Sequence, residues 1–233
     1  MGDKFIFATE DGTICGWQTG ANAVLRQTVS DAVYKGLAIA IDGTERYIYA
    51  TNFTAGTVDV FDDAYQLDDL GPNTFKDPTL PAGFNPFGIQ AIGNELCVTF
   101  AQRIPPDDDE TAGPGLGYVS VFNADGTFVK RLASEAVLNA PWGLAKAPAD
   151  FGEFSGALLV GNFGDGRISA FDPTTGLLLG QLNDSMGDPI AIDGLWGLTF
   201  GNDANAGHAN TLYFTAGIDD ENHGLFGSLE FVP

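Results

Sequence analysis

Positive charge is what this sequence has least of: 10 Lys and Arg stand against 31 Asp and Glu, a formal net charge of −21. Nucleic-acid backbones and anionic lipid surfaces are polyanions, so repulsion argues against either as a partner. The carboxylate excess leaves two readings open: a solubilising acidic surface, or ligands for a divalent cation, with calcium foremost. Sulfur is nearly as scarce, with 2 Cys and 2 Met. Cys15 and Cys97 fall in different repeats and permit one intrachain bridge at most, so no disulfide framework holds the chain together; small buried thiols are expected.

Histidine is limited to His208 and His223, in the polar stretches NDANAGHAN and DDENHG. Neither lies beside a nucleophile motif or at metal-ligand spacing, so both are expected as exposed loop residues. A phosphate-cradling glycine loop ending in Lys-Ser/Thr and a Gly-x-Ser-x-Gly elbow are both missing, and no catalytic residue is assigned. No apolar run approaches the roughly 18–20 residues that span a bilayer. The opening MGDKFIFATEDG has no basic region followed by an apolar stretch, so it does not read as a signal peptide.

What is present is the material of a β protein. Hydrophobic residues make up 44%, Phe alone accounts for 18 positions, and 31 Gly and 12 Pro supply turns. Three strand signatures recur in the same order. The first is an apolar or aromatic residue, Gly, then an aliphatic: YKGLAIA, PFGIQAI, PWGLAKA and LWGLTFG, with Gly36, Gly88, Gly143 and Gly197 at steps of about 54 residues. The second is FIFAT, YIYAT, LCVTF, ALLVG and TLYFT; the third is TICGW, TVDVF, YVSVF, RISAF and GSLEF. Short apolar runs bounded by Gly, Asp, Asn and Pro are strands, and four hairpin-linked strands make a propeller blade.

The expected fold is therefore an all-β propeller of four-stranded antiparallel blades. Five repeats are visible, near residues 1–30, 31–83, 84–138, 139–190 and 191–233 of a single domain. Strands per repeat read three, four, four, four and three, which suits a five-bladed ring or an incomplete six-bladed one. The first-strand glycines are expected where innermost strands crowd together, and Phe87, Trp142 and Trp196 before them are expected to pack between blades. The insertion QRIPPDDDETAGPGLG at Gln102–Gly117 reads as a protruding loop, and Asp62–Ala82 as a surface connection.

The strings YIYATNFTAGTVDVFD, LNAPWGLAKAPADFGEFSGALLVGNFGDGRISAFDP, IDGLWGLTFGN and NTLYFTAGIDDENHGLFGSL resemble a family of uncharacterised bacterial secreted propellers, often carrying a C-terminal PEP-CTERM sorting tail. The resemblance covers nearly the whole chain. It implies an exported six-bladed protein of unassigned activity, located outside the cell, in the periplasm or at the cell surface. This chain departs from it in lacking the N-terminal portion and the sorting tail.

Aligning the second strands places Glu10, Asn52, Ala101, Asn162 and Ala216 at equivalent ends. Glu10, Asn52 and Asn162 offer hard oxygen ligands of the kind calcium gathers, an arrangement similar to the channel calcium of lactonase and phosphotriesterase propellers. The competing reading is that Asn52 and Asn162 cap the NFTAG and NFGDG hairpins with their amides. The acidic run Asp107–Glu110 lacks the register of a calcium loop and reads as solvated. Two functions follow. The first is a non-catalytic exported scaffold or binding module with a protein, small-molecule or carbohydrate ligand. The second is a calcium-dependent hydrolase acting at the channel mouth. The uneven strand count adds self-association through open blade edges.

Overall fold

The computed structural model describes residues 2–232. It is an all-β propeller fold of five small antiparallel sheets, each one blade. The first sheet is β1 (Phe5–Ala8), β2 (Thr13–Trp17) and β3 (Val24–Thr28). The second is β4 (Tyr34–Asp42), β5 (Glu45–Asn52), β6 (Thr57–Phe61) and β7 (Leu67–Asp68). The third is β8 (Phe84–Ile92), β9 (Glu95–Arg103), β11 (Gly117–Asn123) and β12 (Phe128–Ala133), with the short β10 (Glu110–Thr111) added on β9. The fourth is β13 (Pro141–Lys146), β14 (Leu158–Asn162), β15 (Ile168–Phe171) and β16 (Leu178–Gln181). The fifth is β17 (Leu195–Phe200), β18 (Leu212–Ile218) and β19 (His223–Leu229).

The chain, read from sequence as one domain, divides into two compact units: Met1–Glu110 with Ser120–Lys130, and Thr111–Val119 with Arg131–Pro233. In each, neighbouring sheets are joined by apolar side chains that alternate along the strands, as period-two patterning requires. In the first unit Ile14 of β2, with Ile6 and Ala8 of β1, shares a core with Ile48, Ala50 and Phe61 of the second sheet. In the second unit Leu159, Ile168 and Ala170 of the fourth sheet share one with Leu198, Leu212, Phe214 and Ala216 of the fifth. The connection Asp62–Ala82, expected at the surface, contributes to the core as well. Phe75 is buried there, with ring centroids 5.7 Å from Tyr49 and 5.5 Å from Phe122. Asp77 is buried with it, accepting hydrogen bonds from Ser120 (2.7 Å) and from the hydroxyl and amide of Thr79.

Two of the first-strand glycines, Gly36 and Gly143, sit where successive blades crowd together. A Cβ on Gly36 would lie 2.7 Å from the carbonyl oxygen of Phe87, and one on Gly143 would lie 2.5 Å from that of Trp196. In both cases the backbone of the next blade occupies the volume a side chain would need. Each glycine lies at a shift in strand register, and in the second, third and fifth sheets a threonine near the end of the second strand bonds the backbone around it. Thr99 Oγ1 accepts from the Gly88 amide (2.7 Å) and Thr215 Oγ1 from that of Gly197 (3.0 Å), while Thr51 Oγ1 donates to the Phe87 carbonyl (2.6 Å). A bulge leaves ladder groups unpaired, and a side-chain hydroxyl is a compact way to satisfy them.

Candidate functional site

The ends of the second strands are where the sequence placed a site. Asn52 lies opposite Tyr34, Asn162 opposite Pro141 and Ala216 opposite Leu195, so these three are equivalent. Two of the other assignments shift by one. In the third sheet Phe100, rather than Ala101, lies opposite Pro86. In the first sheet Ala8 pairs with Ile14 as Thr51 pairs with Val58, which makes Thr9 the counterpart of Asn52 and puts Glu10 one residue beyond. The cause is the turn: it is one residue shorter between Thr9 and Thr13 than between Asn52 and Thr57.

Asn52 is buried and engaged on both sides of its amide. Its Nδ2 donates to Asp59 Oδ2 (3.0 Å), and its Oδ1 accepts from the Thr54 hydroxyl (3.0 Å) and the Ala55 amide (3.2 Å). Asp59 also accepts from the Tyr34 hydroxyl at 2.8 Å. Burial, then the adjacent Asp59 charge, pushes the Tyr34 hydroxyl far above its usual pKa, so it stays a proton donor.

Asn162 is fully buried. Its Oδ1 accepts from the Asn139 amide (3.1 Å), and its Nδ2 donates to the Val137 carbonyl (2.7 Å) and to Asp165 Oδ1 (3.0 Å). Asn139 in turn accepts from the Gly113 amide (2.6 Å), so this side-chain chain ties the NFGDG turn to the segment before β13 and to the end of the acidic insertion.

Glu10 has an exposed carboxylate, and its Oε1 lies 2.6 Å from Lys35 Nζ. Lys35 stands immediately before Gly36, where the other blades carry Phe87, Trp142 and Trp196. Its side chain is only 4% exposed and also meets Asp109 Oδ1 at 2.9 Å. Burial pulls the Lys35 ammonium down in pKa, but its hydrogen bonds to Glu10 and Asp109 and the nearby Glu10 and Glu110 charges outweigh it and leave it raised. The acidic insertion is exposed over residues 104–109, as the sequence reading had it, and is also tied down by Lys35 and by an Arg103–Asp108 ion pair (2.9 Å).

These contacts bear on calcium. An ammonium already sits on the Glu10 carboxylate, the amide oxygen of Asn52 accepts from Thr54 and Ala55 inside its own turn, and that of Asn162 accepts from the Asn139 backbone amide. That donor set does not fit a divalent cation without rearrangement. Among the described residues no group of three or more His, Cys, Asp or Glu is placed to hold a metal ion. His208 and His223 are exposed, His223 at the start of β19, with Asp203 and Asp219 carboxylates 3.8 Å away. Cys97 is buried and Cys15 half-buried, both as free thiols.

A second cluster, in the other unit, was not singled out as a site by sequence. Trp142 and Trp196 pack edge to face with centroids 5.3 Å apart, and Phe163 lies 4.6 Å from Trp196. All three are half-buried. Trp196 Nε1 donates to Glu221 Oε1 at 2.7 Å. The packing follows a rule also seen in the first unit, where Phe53, after Asn52, packs at 5.4 Å on Phe87 before the next glycine. In the first two sheets a Glu10–Lys35 ion pair stands in place of that aromatic pair. The signal was legible: YKG departs from PFG, PWG and LWG.

The chain matches no described protein family. It is similar to three uncharacterised proteins of Acanthamoeba polyphaga mimivirus. One is 35% identical over 97% of this chain and 56% of the relative, another 39% over 88% and 54%, and a third 36% over 92% and 40%. These viral relatives correct the resemblance to a bacterial, PEP-CTERM-sorted family: blade strings of this kind are set by strand and turn geometry and are not particular to that lineage. Among solved structures, a protein of unknown function from Bacteroides caccae aligns with a TM-score of 0.55 at 11% identity, over 97% of this chain and 71% of that one. Regucalcin, a calcium-binding protein from Agrobacterium tumefaciens, aligns at 0.54 and 13% identity, over 93% and 66%. At such identities the likeness is one of fold. No helix among the described residues is long and apolar enough to cross a membrane. The chain spans about half the length of the curated relatives it matches.

Proposed function

We propose that this chain is a non-catalytic binding module, a set of rigid blades that presents loops and aromatic groups to a protein or carbohydrate ligand. The observation that carries the reading is that each strand-end polar group is already engaged locally. Asn52 bonds its own turn and Asp59, Asn162 bonds Asp165 of its turn and the backbone of Asn139 and Val137, and Glu10 pairs with Lys35. The Trp142–Trp196–Phe163 cluster, half-buried and edged by the Glu221 carboxylate, has the mixed apolar and hydrogen-bonding character of a contact surface. An extracellular or cell-surface location belongs to the same proposal, and fractionation of cells expressing the native gene reads it directly.

The test is to probe glycan and peptide arrays with the full chain, with Trp196→Ala and with Glu221→Ala, alongside lactone and phosphotriester assays in millimolar calcium. The expected result is a retained ligand whose binding weakens at least about tenfold in both variants, the loss of one well-placed contact, with no turnover. Calcium-dependent turnover abolished by Asn162→Ala would replace this reading with the hydrolase.

A further inference from the structure

Where sheets pack within a unit, the first on the second and the fourth on the fifth, a leading face of the earlier sheet meets a trailing face of the later one. The strand register identifies the equivalent faces of the first and fifth sheets. In the second sheet the trailing face is Ile48, Ala50 and Phe61, each 0% exposed and in the core shared with the first sheet. The pairs Ile48↔Phe61 and Ala50↔Asp59 correspond to Phe5↔Trp17 and Phe7↔Cys15 in the first sheet. The trailing face of the first sheet is thus Phe5, Phe7, Cys15 and Trp17, extended by Leu25 opposite Cys15. Here Phe5 is 60% exposed, Phe7 47% and Leu25 58%, with Trp17 half-buried against Phe5 at 5.8 Å.

The fifth sheet has the converse face. Tyr49, Thr51 and Val58 form the leading face of the second sheet and are buried. Their counterparts in the fifth are Tyr213, Thr215 and Phe226, because Leu195↔Ala216 matches Tyr34↔Asn52 and Phe226 pairs with Thr215. Phe226 is 70% exposed and stacks on Tyr213, with centroids 5.9 Å apart and planes within 8°. Ser228 and Thr199, both opposite Tyr213, complete it. In a chain of net charge −21, neither face carries a charged side chain on its strands.

We infer that these two faces are the halves of an inter-blade interface, and that a second copy of this chain joins them head to tail: the leading face of the fifth sheet in one copy docks on the trailing face of the first sheet in the other. The argument is continuity with interfaces already formed. A leading face on a trailing face is how the first sheet meets the second and how the fourth meets the fifth. An uncharged aromatic face left in water is the usual mark of an interaction surface. Such a contact is heterologous, using two different patches. Repulsion between the acidic bodies opposes it, so salt strengthens it.

The experiment is sedimentation velocity of the full chain from about 1 to 100 μM, the range in which moderate protein contacts form, at low and high salt. Phe7→Asp, Phe226→Asp and an equimolar mixture of the two are run beside it. Both positions are exposed, so neither substitution disturbs a core, and near-UV circular dichroism checks this. The wild type is expected to associate, more strongly in high salt, and each variant alone to remain monomeric. The mixture is expected to recover a dimer, because the intact fifth sheet of Phe7→Asp meets the intact first sheet of Phe226→Asp. A monomeric wild type throughout, association untouched by either substitution, or a mixture that stays monomeric would each overturn the inference.

Discussion

Gly143→Ala perturbs one atom at the point where blades come closest. The new Cβ would sit 2.5 Å from the Trp196 carbonyl oxygen and 2.9 Å from Leu198 Cγ. The first of these is backbone in the next strand and cannot rotate away. Overpacking a tight site costs about 1–3 kcal/mol, and an immovable neighbour puts this case near the top of that range. For a chain of this size about 3 kcal/mol lowers the melting temperature by roughly 6–12 °C. Gly224→Ala is the control: it lies in a strand of the same unit, and its Cβ would meet nothing within 4 Å. Thermal unfolding followed by circular dichroism should separate the two, with Gly224→Ala within about 1 °C of the wild type, as expected for a surface change. If Gly143→Ala melts with the control, the close approach of successive first strands is not what fixes glycine there.

Lys35→Met should free the acidic insertion. Glu10 and Asp109 are 63% and 81% exposed and rehydrate readily, so global stability changes little while limited proteolysis within residues 104–116 accelerates, as mapped by mass spectrometry. Asp3 predicts an acid dependence. The Arg26 and Tyr65 hydrogen bonds hold its carboxyl below the ordinary carboxylate range. A depressed pKa contributes stability that is complete above the unfolded value and lost as pH falls through the folded one. Acid unfolding of the first sheet, read by amide hydrogen exchange, should therefore lose this increment below the usual carboxylate range. In Asp3→Asn it should be absent at every pH.

The fold was legible because its signals are local. Alternation, turn residues and a glycine recurring at a fixed step place five blades without knowledge of any long-range contact. Register was less so. Thr9 and Phe100, rather than Glu10 and Ala101, occupy the strand-end position; at Thr9 a turn shortened by one residue shifts a period-two pattern without altering its look. The clamp formed by Thr51, Thr99 and Thr215 was readable in the strings YIYAT, LCVTF and TLYFT once the glycines were known to sit on register shifts. The partners of Lys35 were not readable, since Glu10 and Asp109 are distant in sequence and paired only by folding. The exposed Phe5 and Phe226 look like any other strand residues. Only the burial of their counterparts Ile48 and Val58 marks them as uncovered.

Calcium tests the central claim, that the strand-end residues serve the turns, most directly. Thermal melts of the wild type and Asn162→Ala, each with millimolar calcium and with chelator, separate the roles. Removing the Asn162 amide leaves the buried Asn139 amide without its partner, at about 1–3 kcal/mol, and the part-buried Val137 carbonyl as well. The account predicts that this loss is the same with and without calcium, and that the wild type melts at one temperature in both. An ion bound only by the folded state at a hundredfold excess over its Kd would add about 2.7 kcal/mol. A wild-type melting temperature that rises with calcium, and no longer does in Asn162→Ala, would contradict it.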